Sequence, residues 1–288
     1  MSSLPPSLQR ADLNQRLVDI GLEAGQAILE IYYQQGEIEI NHKGDNSPVT
    51  QADLAAHEVI CTALAGFSPE IPVLSEESSM PSFTERQSWE YYWLIDPLDG
   101  TKEFINRNDE FTVNIALIHE NKPIFGLVHS PVLKLSYIGN LLEGRSEAIK
   151  YSNDGSTITE QEAISTQAQA LQQDLIVVGS RRHGAAEIDA LIDQLENSFS
   201  QCHLESMGSS LKLCLIAEGK AQLYPRLAPT CEWDTAAAHA VVSAAGGKVL
   251  NPEFSNLRYN HKESLLNPNF YVVGDPSLDW AELLDPSC

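Results

Sequence analysis

WLIDPLDGTKEF, residues 93–104, is the stretch on which the reading of this chain turns. An apolar run, YYWLI at 91–95, delivers Asp96 to its end, and Pro97 follows. Proline has no N–H with which to continue a sheet ladder, so the spacing predicts a turn that exposes the Leu98 carbonyl. Asp96, Leu98 and Asp99 then present oxygens to one side. A hard divalent cation such as Mg²⁺ takes carboxylate, carbonyl and water oxygens in a near-octahedral array, and two such ions can share a bridging carboxylate about 3.5–4 Å apart. Asp96 is placed to bridge. Gly100-Thr101 predicts the start of a short helix whose first N–H groups, closely approached at a glycine, would seat a phosphate. The competing reading is that Asp96 and Asp99 only start turns, a common use of aspartate.

Other acids stand at comparable places. The run IPVL at 71–74 predicts a second buried strand, ending in Glu76-Glu77, and EWDTAAAHA puts Asp234 at the opening of a late helix. Gathering Glu76, Asp96, Asp99 and Asp234 without a cation would be costly, because close like charges raise pKa values or drive the groups apart. Each acid also has a plainer reading. Glu76-Glu77 suits a solvated strand end, Asp234 suits an N-cap, and Asp53 suits the third position of a capping box opened by Thr50.

Around these sites the pattern alternates. Helical spacing runs from Leu13 through Leu17, Ile20, Ala24, Ala27, Ile28 and Ile31 to a stop at Gly36, and a second helix follows Thr50. FTVNIALI, PIFGLVHS and KLSYIG predict successive sheet strands. The polar, turn-rich stretch LEGRSEAIKYSNDGSTITEQEA places a subdomain boundary near residues 150–170. Beyond it, strand DLIVVG, helix AAEIDALIDQL, helix SSLKLCLIAEG, strand AQLY, helix DTAAAHAVVSAAGG and strands KVL and FYVVG alternate. The expected fold is therefore an α+β N-terminal half, residues 1–160, carrying most of the candidate ligands, and an α/β C-terminal half, residues 161–288, carrying Asp234.

Composition narrows the partners. With 40 acidic against 18 basic residues the net charge is −22, which repels nucleic acid polymers and anionic membrane surfaces. Five scattered cysteines without a CxxC pair predict neither a disulfide framework nor a zinc site. The start of the chain, MSSLPPSLQRADLNQRL, lacks an apolar signal core, and nothing approaches the roughly 18 apolar residues of a membrane span. The expectation is a soluble cytoplasmic protein with no integral membrane association, compatible with peripheral contact at the inner membrane and with any oligomeric state.

The motifs VTQAD at 49–53, LSEES at 74–78, WLIDPLDGTKEF and EWDTAAAHAVVSAAGG at 232–247 together resemble the lithium-sensitive, Mg²⁺-dependent phosphatases of the inositol monophosphatase superfamily, over nearly the whole chain. Within it, DGTKEF, SRRHG at 180–184, MGSSLKLCLIAEG at 207–219 and QLYPR at 222–226 are most similar to the CysQ-type 3'(2'),5'-bisphosphate nucleotidases. The resemblance implies a layered α-β-α-β-α sugar-phosphatase-like fold and hydrolysis of the 3'-phosphate of adenosine 3',5'-bisphosphate (PAP) to leave AMP, with PAPS to APS as a second hydrolysis. It implies Mg²⁺, two or three ions, held by Glu76, Asp96, the Leu98 carbonyl, Asp99 and Asp234. It assigns Asp53 and Thr101 to positioning the attacking water and Glu77 to a supporting place. His183, Ser209, Lys212 and Arg226 match nucleotide-contacting positions, beside the phosphate seat at Gly100-Thr101.

Charge makes that assignment sensible. A bisphosphate can enter so acidic a protein only where cations reverse the local field, and Mg²⁺ at one phosphate with Arg181, Arg182, Lys212 or Arg226 near the other would do so. Arg181-Arg182 equally suits a solvated helix entry, Lys212 an outer helix face and His183 a cap. HGAAE and SMGSS lack the GxSxG elbow, so the expected chemistry is direct in-line attack by an activated water without a phosphoenzyme. Two alternatives stand beside it: an inositol or sugar phosphatase sharing the acidic core, and a catalytically silent metal or nucleotide sensor.

Overall fold

Side chains alternate along the strand Tyr91–Asp99: Trp93 and Ile95 enter one buried cluster, Tyr92 and Leu94 another. A strand buried on both faces must be covered on both. The computed structural model describes residues 4–34, 40–42, 48–179 and 185–284, and within them the strand lies second in a seven-stranded sheet. Val73–Ser75 pairs with it in parallel, and Thr112–His119, Lys122–Ser130, Leu135–Asn140, Glu147–Asn153 and Ile158–Ala163 follow as an antiparallel meander.

On the Trp93 face lie the helices Leu13–Tyr32 and Gln51–Phe67, which contribute Leu17, Ile28, Ile60 and Leu64 to its core. On the Leu94 face lie the helices Leu211–Ala217 and Ala236–Ala244. Beneath these is a second sheet in the order Cys202–Ser206, Leu175–Gly179, Leu223–Arg226, Phe270–Val273, Lys248–Leu250. It alternates too. Val178, Tyr224, Val249 and Val272 face the middle helices, while Leu175, Val177, Leu223 and Val273 face Leu191, Leu195 and Trp280 on the outer side. Five layers result, α-β-α-β-α, as the family resemblance implies.

Two glycines bring the middle helix into place. Gly126 and Gly139 oppose each other in register, and a Cβ on either would collide with the backbone of helix Ala236–Ala244, at Ala237 and at Ala240 respectively. Their bare backbones let that helix, with Asp234 just before it, lie directly on the sheet.

Three expectations are corrected. Pro97 does not end its strand: pairing with Thr112–His119 resumes at Asp99 after a register shift between Asp96 and Asp99, so the missing N–H is absorbed in a bulge. The stretch after residue 141, read as polar and turn-rich, holds two further strands, Glu147–Asn153 and Ile158–Ala163. Asp234 is not an N-cap. It closes the 3-10 turn Glu232–Asp234, and Thr235 precedes helix Ala236–Ala244. The expected stop at Gly36 lies outside the described residues.

Candidate active site

Asp96 is buried at the start of the bulge, 2% exposed, and its Oδ1 accepts the Leu98 N–H at 3.0 Å. Burial holds its carboxyl well above the usual carboxylate range, and the charges of Glu76, Asp99, Asp234 and Asp53 push the same way. Asp99, at the end of the same strand, is raised by burial, opposed by the Lys212 charge and by the Ser210 N–H, which it accepts at 2.6 Å. Asp234 is raised by burial and then by Asp99 and Glu76, and its Oδ2 accepts the Cys231 N–H at 2.9 Å. Glu76 is tied to the Asp96 strand by its own N–H, which donates to the Ile95 carbonyl at 3.1 Å.

The acids thus act on one another's charge across four separate segments. Among the described residues no three Asp, Glu, His or Cys side chains are disposed to hold one ion as they lie. The donor set nevertheless fits a hard divalent cation: oxygens only, mostly carboxylate, with acidic groups as the strongest neighbours of Asp96.

Asp53 serves two structures at once. Its Oδ2 accepts the Thr50 N–H at 2.8 Å and the Thr50 hydroxyl at 2.6 Å, completing the capping box read from the sequence. Its Oδ1 accepts the Thr101 hydroxyl at 3.3 Å, which ties the start of one helix to the start of another. The same hydroxyl is 3.5 Å from the Leu98 carbonyl. Burial raises the Asp53 carboxyl, the Thr50 hydrogen bonds pull it back, and the Glu77 charge raises it again. Gly100, at φ 94°, makes the left-handed turn into the helix Thr101–Ile105. That helix has barely a turn of aligned peptides, so its N–H groups rather than a macrodipole are what it offers an anion.

A cavity of about 150 Å³ opens beside these acids, lined among others by Asp99, Gly100, Lys212, Tyr224, Arg226 and Asp234. Lys212 lies on the inner side of its helix, 6% exposed, with its ammonium donating to the Ser209 and Met207 carbonyls at 2.6 and 3.2 Å. Burial depresses its pKa to about 8, partly offset by Asp99. Arg226 closes its strand with the guanidinium held by the Ala228 and Pro229 carbonyls, both at 3.1 Å. Ser209 adopts φ 45°, and its Oγ is buried without a hydrogen-bond partner. His183, like Arg181 and Arg182, lies outside the described residues.

Sequence reasoning passed over Ser210 and Asn114. Ser210 holds Asp99 by its N–H, while its Oγ bonds to Thr112 and Asn114 oxygens, each at 2.8 Å. Asn114 pairs across from Asp96 in the ladder. Both lay inside quoted segments, FTVNIALI and MGSSLKL; a buried polar residue opposite an acid was the available signal.

The family model that matches this sequence over residues 10–278 is the one described as the inositol monophosphatase family. The chain belongs to the inositol monophosphatase family. Among similar family members, the 3'(2'),5'-bisphosphate nucleotidase CysQ of Salmonella typhimurium is 45% identical over 260 residues, covering 90% of this chain and 98% of the relative. The protein of the same name from Haemophilus influenzae is 36% identical, over 94% and 96% of the two chains. The crystal structure of CysQ from Bacteroides thetaiotaomicron, a bacterial member of the family, superposes with a TM-score of 0.79 at 41% identity, covering 93% of this chain and 98% of that one. The suppressor protein suhB from Bartonella henselae, 20% identical with a TM-score of 0.75 over 96% and 100% of the two chains, shares the fold.

Proposed function

We propose that this chain is a Mg²⁺-dependent 3'(2'),5'-bisphosphate nucleotidase, hydrolysing PAP to AMP and phosphate in the cytoplasm, with PAPS as a second substrate. The observation that carries it is the gathering of Asp96, Glu76, Asp99 and Asp234 into mutual electrostatic contact beside a cavity that Lys212 and Arg226 also line. Carboxylates suited to cations and two basic side chains thus share one cavity, which suits a substrate with two phosphates. The 45% identity to a CysQ relative favours a nucleotide over an inositol phosphate. The unpaired thiols of Cys61, Cys202 and Cys214 suit a reducing compartment, and among the described residues no helix is long and apolar enough to cross a membrane.

Glu76, Asp96, the Leu98 carbonyl, Asp99 and Asp234 would hold the ions, which when bound supply charge neutralisation and a more acidic water. The chain's own residues do the positioning. The Thr101 hydroxyl, held between Asp53 and the Leu98 carbonyl, orients the attacking water in line with the leaving ribose oxygen. Asp53, with its proton affinity raised, accepts that water's proton, and Glu77 sustains the raised affinity by its charge. The Gly100 and Thr101 N–H groups receive the scissile phosphate, and Lys212 and Arg226, with His183 and Ser209, receive the rest of the nucleotide. Phosphate release from PAP, inositol 1-phosphate and fructose 1,6-bisphosphate, with Mg²⁺ and with chelator, tests the reading. PAP should be preferred by at least tenfold in kcat/KM, and only with Mg²⁺. Preference for inositol 1-phosphate, or release in chelator, would contradict it.

A further inference from the structure

Asp234 reaches the site from a turn, Glu232–Asp234, whose own length is three residues. Within the turn the carboxylate is held by one hydrogen bond, from the Cys231 N–H, and the turn itself is held by residues from elsewhere in the chain. Asn267, 8% exposed, lies between the last two strands and has no regular structure around it. Its Nδ2 stands 2.8 Å from the Cys231 carbonyl and 3.1 Å from the hydroxyls of Thr230 and Thr235, so one amide bridges both flanks of the turn. Its backbone N–H donates to the Thr230 carbonyl at 2.8 Å.

A second grip is Glu232. Its side chain is fully buried and accepts the Asn260 N–H at 2.7 Å. Asn260 is locked in turn, donating from Nδ2 to the Arg86 carbonyl at 2.7 Å and accepting from the Arg86 guanidinium. The third contact, between the Thr235 and Tyr259 hydroxyls at 3.2 Å, comes from the same segment. Residues 259–267 therefore bond to residues before, within and after the Asp234 turn, and none of them lines the cavity.

We propose that the segment 259–267 is a clamp that positions Asp234 for cation binding, with Asn267 and the Glu232–Asn260 bond as its two grips. The proposal rests on the reading of Asp234 as a cation ligand. Groups that orient a ligand without touching the ion commonly govern affinity by about 10–100-fold. Asn267 and Glu232 are positioning residues in this sense.

The test is Mn²⁺ binding to the full chain, followed by the loss of the free-ion electron paramagnetic resonance signal, with thermal unfolding in chelator to establish folding. Asn267→Leu and Glu232→Ala should weaken Mn²⁺ binding about tenfold or more. Glu232→Gln, which keeps the acceptor for the Asn260 N–H, should restore it to within about threefold of the parent. In turnover assays the half-saturating Mg²⁺ concentration should rise in the weakened variants, while KM for PAP at saturating Mg²⁺ moves less than about twofold. If Asn267→Leu does not fold, the Glu232 pair decides alone. Parent-like Mn²⁺ affinity in Glu232→Ala and in any folded Asn267→Leu, with binding lost in Asp234→Asn, overturns the clamp and leaves the ligand reading standing. Parent-like binding in Asp234→Asn overturns both.

Discussion

Lys212 keeps an ammonium where water barely reaches, stabilised by two carbonyls and by the charge of Asp99, and burial still wins, bringing its pKa down to about 8. Its charge is therefore present below pH 8 and lost as pH rises through that value. A substrate phosphate that depends on it should feel the loss. KM for PAP should rise about tenfold between pH 7.5 and 9.5, while Lys212→Met should show a high KM at both values and no such rise. An equal rise in the variant would remove Lys212 from substrate binding. His129 makes the opposite case, a titratable group used for packing. It is wedged against Gly21 and Gly25 of the first helix, bonds to the Ser136 hydroxyl at 2.9 Å, and is kept neutral by burial with a pKa of about 4. Since the unfolded chain binds the proton at its ordinary value of 6.5, the native state binds fewer protons between those values, and stability is present above pH 6.5 and lost as pH falls. One such histidine should cost about 2 kcal/mol between pH 7 and pH 5. Urea unfolding of the parent and of His129→Gln at both values checks this, the variant showing a shallower decline.

Elements are placed by what their neighbours lack. Gly126 and Gly139 let the helix Ala236–Ala244 sit against the strands, so Gly126→Ala forces either the helix or the strand to move. Overpacking of this kind costs about 1–3 kcal/mol, and displacement of the helix carries the Asp234 turn with it. Gly126→Ala should therefore lower the urea midpoint and raise the half-saturating Mg²⁺ concentration together; a midpoint loss with unchanged Mg²⁺ dependence would separate the helix from the site. Gly126 and Gly139 lie in the predicted strands PIFGLVHS and KLSYIG, and only the packed helix explains them. Strands buried on both faces, such as Tyr91–Asp99, were legible because every position is apolar until Asp96. The strands Ile158–Ala163 and Cys202–Ser206 were not, because almost all their side chains are exposed and carry no alternation. The capping box at Thr50 was legible down to its atoms, since its partners are three residues apart. Asp99 and Ser210 are 111 residues apart, and nothing in local spacing could announce their hydrogen bond.

Across the whole molecule the site is a junction. Asp53 comes from the outer helical layer, Glu76, Asp96 and Asp99 from the large sheet or its edge, Asp234 and Lys212 from the middle layer, and Arg226 from the second sheet. Net acidity of −22 gives no general attraction for a polyanion, so affinity must be local, built from the bound ions and two basic side chains. Folding brings the acids together at a cost in proton affinity that Asp96, Asp99 and Asp234 all display, and a divalent cation relieves that cost. Calorimetric titration of the metal-free protein with Mg²⁺ at pH 7.5 tests this most directly. Saturable binding in the parent and its loss, to about a tenth of the affinity or less, in Asp96→Asn is the predicted result. No Mg²⁺ binding by the parent, or undiminished binding by the variant, would contradict it.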